Sequence, residues 1–416
     1  MNHNHKNKDS NKQVNNIRAW LVLVSVYLAS ITVTMSMMKV PPLMNLLIKD
    51  LNTDTTTGGL FMSSFMIAGV ILAIPVASLL NSWGPKKSGL IALGFTIFGS
   101  LFGSLAQGSA MILLIGRFIE GIGFAGIMVI APAVVSMWFE PESRGLPMGI
   151  WATWVPVGMF IIFNLAKPLE SFFGWRGVWW FNAIFALIVS FIYHRVIDYP
   201  IKREEIKDEK ERKENSHLKL SKGLYNLNTW LLAIVFLIFG ISIQGYVNWL
   251  PTFLIDSGID TSLANFFVSM ISVGRIPAIV IAGLIINYAK RQKNILALSL
   301  IMSVVIFSLW FRVNSISSLT VWMIILGLSS GFCPTSIFTM ATNTVYRTEF
   351  IGIALALVNI GFNLGQMMGP PLIGMIISKG SWVPVKYFVI IPLIIGVILV
   401  FNINEPGKQA ISLDQS

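Results

Sequence analysis

An all-α integral membrane fold, with twelve transmembrane helices in two pseudo-symmetric bundles of six, is what this chain should adopt. Composition, spacing and an internal repeat each lead there. Of the 416 residues, 55% are apolar and only 12% charged, and mean hydropathy is +0.73. A water-soluble domain cannot cover that much apolar surface. Apolar runs long enough to cross a ~30 Å hydrocarbon layer recur from Ala19 to Phe401, separated by short polar gaps.

Taken in order, the chain opens with a polar tail over residues 1–18 that carries Lys6, Lys8, Lys12 and Arg18 and has no cleavage site after the first apolar run. It is expected to stay attached and cytoplasmic. His3 and His5 lie in that tail, where two imidazoles have no fixed geometry for a metal. Six helices are expected near 19–47, 58–81, 88–107, 110–138, 145–168 and 176–198, making an N-terminal bundle over 19–198. The linker over 199–226 follows. Its stretch from Lys202 to Lys222 holds eight basic and six acidic residues and cannot be a span. Six further helices are expected near 227–255, 262–289, 294–311, 318–343, 350–378 and 384–403, making a C-terminal bundle over 227–403, with a tail over 404–416.

The two sixes are related. ASLLNSWGPKK, Ala77 to Lys87, and GLIINYAKRQK, Gly283 to Lys293, share an asparagine, a following aromatic and a basic end at an offset of 206. Thr55, Phe61 and Ser63 meet Thr261, Phe267 and Ser269 at the same offset. Such recurrence, in order, is what a duplicated bundle leaves.

Basic residues set orientation. With both termini in the cytoplasm, 21 of the 30 lie inside, six outside, and three (Lys39, Arg117, Arg275) in spans. The net charge of +11 is therefore spread over inner loops and does not form a nucleic-acid surface. The lone Cys333 excludes intrachain disulfides and thiolate metal clusters. No nucleophile with a base and no phosphate loop is present, so neither an enzyme nor a cofactor is expected. The expected partners are a small solute and the lipid of a cell membrane, with the chain acting as a monomer.

Several motifs resemble the major facilitator superfamily. The loop after helix two has Asn81, Gly84, Lys86 and Lys87 where that family carries an Asp, a Gly and a basic pair, and Asn287 stands in the second copy. The amide replaces the family's charge. Arg117, Gly121 and Gly123 match its RxxxGxG pattern in helix four, and PESRGLPMG, Pro141 to Gly149, its loop between helices four and five. In helix eleven, Gly361, Gly365 and Gly369 form a ladder in GFNLGQMMGPP, small residues that let helices approach closely. The resemblance implies that this ladder lies where two rocking halves meet. VPPLMNLL (from Val40) and GIWATWVPVG (from Gly149) are similar to the cyanate-permease and anion-transporter branch. By this likeness the chain is a secondary transporter.

Buried charges narrow the solute, because a charged side chain at mid-bilayer costs about 2.5 to 3.5 kcal/mol on insertion scales. Lys39 in helix one either faces a cavity as an anion ligand or snorkels to the outer headgroups. Arg275 in helix eight is placed to grip an oxyanion with its fork, or else to bond backbone carbonyls near Pro277. Arg117 and Glu120, three apart, share a face and form an ion pair expected near the cytoplasmic mouth, while Glu120 is also the sole carboxylate candidate for proton coupling. Tyr246, Asn363 and Gln366 could complete a substrate site, with Trp151, Trp154, Trp249 and Asn359 as weaker candidates. Lys39 and Arg275, read as unmatched by local acids, point to an anionic solute. An exporter of amphipathic drugs and a non-transporting sensor or scaffold are the alternatives.

Overall fold

The computed structural model describes residues 2–140, 143–198, 226–286, 291–309, 316–345 and 351–404, without the side chains of 2–16, 73–81, 316–317 and 351. Asn287, the linker stretch from Lys202 to Lys222, His217 and the end of the chain from 405 onward lie outside the described residues, as do the side chains of His3, His5 and Asn81.

Every described element is helical. Helix α1 runs Asn2–Met38 and so begins within the polar tail. It ends where Pro41 and Pro42 follow, since neither has an N–H to continue the ladder and each ring clashes with the preceding turn. A 3-10 turn at Pro41–Leu43 and the short α2, Met44–Asp50, complete the first span. The expected unbroken helix over 19–47 is thus corrected to a broken one. Helix α3 covers Thr55–Ser104 and holds two expected spans, separated at Gly84 (φ 76°, ψ 170°), a conformation that a β-carbon would strain. Tyr193 Oη donates to Pro85 O at 3.0 Å and holds this turn.

Helix α4, Ala110–Trp138, spans the expected residues. Helices α5, Gly145–Ala152, and α6, Trp154–Val196, follow; α6 is broken at Gly174 (φ 65°). The stretch from Gly145 to Val196 is 52 residues, about 78 Å at 1.5 Å per residue and over twice the layer, so it is two spans. With that division the eleven apolar stretches among the described residues become twelve spans.

Helix α7, Leu227–Phe239, passes through a π-helical turn, Gly240–Gln244, into α8, Gly245–Asp256. Helices α9, Thr261–Ile286, α10, Gln292–Leu309, α11, Ile316–Asn343, α12, Ile351–Ile377, and α13, Val383–Phe401, complete the chain. Outward faces are apolar: Ile184, Leu187, Ile188 and Phe191 of α6, at helical spacing, are all exposed, as a lipid-facing stripe requires.

Contacts divide the chain into two compact units, residues 1–39 with 67–202, and residues 40–66 with 203–416. In the first, α1 packs on α4 and α6. In the second, the beginning of α3 packs on α12. There Thr55 Oγ1 donates to Gly374 O at 2.7 Å, and the Ser63 hydroxyl donates to Met367 O, the carbonyl that Pro371 leaves without a helical partner.

Candidate functional site

Two buried polar clusters stand out, one in each unit. In the first unit the break at Pro41 frees the last carbonyls of α1, because a helix end has no N–H groups for them. Arg117 of α4 supplies the donors: Nη1 reaches Ser36 O at 2.5 Å and Nη2 reaches Met37 O at 3.1 Å. Its Nη1 also donates to Glu120 Oε2 at 2.7 Å. Lys39, the first residue past α1, donates to Glu120 Oε1 at 2.5 Å and to Ser100 Oγ at 3.1 Å, while Ser100 Oγ donates to the same carboxylate oxygen at 2.7 Å. Asn182 Nδ2 donates to Ser100 Oγ at 3.2 Å, and the Lys39 ammonium sits 4.4 Å from the centre of the Trp179 ring. All three charged groups are fully buried.

Close helix approach builds this cluster. A β-carbon added at Gly99 of α3 would come within 2.6 Å of Glu120 N, so only a glycine lets α3 deliver Ser100 to the α4 carboxylate. Two positive groups at the C-terminal end of α1 also suit its dipole.

These contacts correct two expectations. Lys39 is not unmatched by an acid, and neither does it snorkel, since Glu120 holds it inside. The Arg117–Glu120 pair, expected near the cytoplasmic mouth, lies at the C-terminal end of α1, beside Lys39.

The second cluster is built on Arg275 of α9. Nε and Nη2 donate to Ser330 Oγ of α11 at 3.3 and 3.0 Å, and Nη2 donates to Gln244 Oε1 at 3.1 Å. The alternative of carbonyl bonds near Pro277 does not occur among the described residues. Gly274 and Gly327 cause the pairing with Ser330: a β-carbon on Gly274 would run into Ile324 O, and one on Gly327 would sit 3.0 Å from Arg275 N. Ser330, one turn past Gly327, is therefore pressed against Arg275. No acidic side chain makes an ion pair with Arg275 among the described residues.

The remaining predicted residues scatter. Tyr246 is buried in the second unit with its ring edge-on to Phe307 at 5.1 Å. Gln366 is nearly buried on α12 and Asn363 half-buried, one turn before it. The ladder Gly361, Gly365 and Gly369 packs against Ala233, Leu237 and Ile241 on the α7 side, as an internal seam of the second unit. Trp249 Nε1 donates to Pro370 O at 2.8 Å and Trp151 Nε1 to Ser30 Oγ at 3.0 Å, while Asn359 is exposed. Lys86 is half-buried and Lys87 exposed beside the Gly84 turn. Sequence reasoning missed Ser100, Asn182, Trp179, Gln244 and Ser330; the glutamine inside the apolar run GISIQG was the one visible sign.

The sequence matches the family profile described as Major Facilitator Superfamily over residues 26–353. The chain belongs to that superfamily. The resemblance read from Arg117, Gly121, Gly123 and the Gly84 turn therefore holds, and with it the transporter class. The "Quinolone resistance transporter" of Acinetobacter baumannii is 24% identical over 85% of this chain and 86% of its own length. The "Probable sulfoacetate transporter SauU" of Cupriavidus necator is 23% identical over 80% of this chain and 82% of its own. A crystal structure of a D-xylose–proton symporter superposes with a TM-score of 0.77 at 14% identity, covering 94% of this chain and 99% of that one, so the superfamily member shares its fold.

Proposed function

We propose that this superfamily member is a secondary active transporter for a small anion, a carboxylate or an inorganic oxyanion, working by alternating access. The observation that carries the reading is Arg275, a nearly buried guanidinium whose described partners, Ser330 and Gln244, are both neutral. An uncompensated cation in a low-dielectric setting is costly, and an anionic solute is the partner that would complete it. Tyr246, Asn363 and Gln366 remain proposed contributors in the same unit. Lys39 takes a different role in this reading. Both oxygens of Glu120 are engaged, by Lys39 and Ser100 on one and Arg117 on the other, so the triad is a fixed internal pairing rather than the anion grip. If a proton is the coupling ion, Glu120 is the one buried acid among the described residues through which it would act. The bundles expected at 19–198 and 227–403 are proposed as the moving halves, with both termini cytoplasmic.

A second reading, export of amphipathic drugs, draws on the relative named for quinolone resistance. One experiment separates them: purified protein in liposomes, assayed for binding and movement of carboxylates, sulfate and cationic drugs. Arg275-dependent handling of an anion supports the first reading. Movement of cationic drugs that survives Arg275→Ala supports the second.

A further inference from the structure

Gln244 has no role in the reading above beyond being a neighbour of Arg275, yet its placement is unusual. It closes the π-helical turn Gly240–Gln244, in which Gly245 N–H bonds back to Gly240 O across five residues. The extra residue advances the register by one position, so the turn, not the surrounding α-helix, decides that a glutamine points at Arg275. The turn is also pinned. A β-carbon on Gly240 would come within 3.0 Å of Gly365 Cα, and one on Gly245 within 3.0 Å of Gly369 Cα, so the backbone is wedged against α12. With the backbone held there, any release of Arg275 by Gln244 falls to rotation of its side chain.

The guanidinium is occupied unevenly. Ser330 Oγ takes the edge formed by Nε and Nη2. The remaining edge, Nη1 with Nη2, carries the amide oxygen Gln244 Oε1 on Nη2, and Nη1 has no hydrogen-bond acceptor among the described residues. That edge is where a carboxylate or a planar oxyanion makes two parallel bonds. An amide oxygen there imitates one of the two oxygens such an anion would bring, without its charge.

We propose that Gln244 is a placeholder that determines specificity: its amide oxygen holds the outer edge of Arg275 until a small carboxylate-type anion displaces it. The proposal rests on the anion reading and deepens it. An incoming ligand must replace one bond and gain a second, so two-oxygen anions succeed where a single-centre halide merely exchanges one contact for another.

The test uses the purified full chain in detergent, its thermal unfolding titrated with acetate, succinate, sulfate and chloride, as wild type, Arg275→Ala, Gln244→Leu and Gln244→Glu. Gln244→Leu should unfold at lower temperature without anion, yet bind the carboxylate several-fold more tightly, up to about tenfold, because one competing hydrogen bond is gone. Gln244→Glu should be at least as stable as wild type and lose the anion-induced shift, since its own carboxylate fills the edge. A structural partner alone would lower stability and affinity together. If wild type shows an Arg275-dependent shift but Gln244→Leu binds no more tightly, or Gln244→Glu still responds, the placeholder is overturned and the anion reading stands. If no anion stabilises the wild type, the anion reading falls and takes the placeholder with it.

Discussion

In the first unit, Lys39 and Arg117 converge on Glu120, Ser100 bridges two of the three, and Arg117 also caps the broken end of α1. In the second, Arg275 is met by a serine hydroxyl and an amide, with no acid in the described surroundings. Both sites bury a guanidinium beside closely packed glycine-bearing helices. The difference is a carboxylate that touches both cations of the first cluster; the net charge of each cluster is +1, but only Arg275 has no acidic partner among the described residues. A buried charge with its counter-ion supplied by the chain stiffens the fold, whereas one left to neutral partners is a site that an outside ion can complete.

The largest effect expected from this contrast lies in the first unit. Glu120→Gln leaves two cations facing one another, fully buried, and should cost about 3 to 5 kcal/mol in unfolding free energy. Lys39→Met leaves Arg117 and Glu120 balanced and should cost clearly less. Chemical denaturation of the two variants side by side checks the order, and equal losses would mean that charge balance is not what holds the cluster. Next in size, Arg275→Ala should weaken anion binding by at least tenfold, while Arg275→Lys recovers little of it, because an ammonium lacks the fork; isothermal titration in detergent reads both.

A smaller effect belongs to packing. Gly365→Ala would push a β-carbon into Leu237 O and the Gly240 Cα beneath the π-turn, costing about 1 to 3 kcal/mol. Gly352→Ala, with nothing within 4 Å, should cost nothing measurable in the same thermal assay. The smallest effect is at a charge that stays in water. Asp54 caps α3, accepting from Thr57 N at 2.8 Å, and hydrogen bonding from the Thr57 side chain, then from its backbone, holds the carboxyl below the ordinary value. Its contribution is present above the unfolded-state pKa and is lost as pH falls through the lowered one. Asp54→Ala should cost about 1 kcal/mol near neutral pH and little in acid, as unfolding across a pH series would record.

Much of the fold was legible because apolar length and the 206-residue repeat report directly on membrane crossing. Gly84 was readable for the same local reason, since a positive φ leaves few other choices. The broken end of α1 was readable in Pro41 and Pro42 but was overlooked, and with it the carbonyls that Arg117 caps. Lys39 and Glu120 could not be joined from sequence, because 81 positions separate them and only the packing of α1, α3 and α4 brings them together. Gln244 depends on a π-turn whose register no helical period foretells.

Uptake of a radiolabelled carboxylate or sulfate into liposomes carrying wild type, Lys39→Met or Arg275→Ala tests the contrast most directly. The account predicts anion-specific uptake by wild type, uptake retained in correctly folded Lys39→Met, and none in Arg275→Ala. Uptake lost with Lys39 but kept without Arg275 would contradict it, placing the anion grip in the cluster that Glu120 already closes.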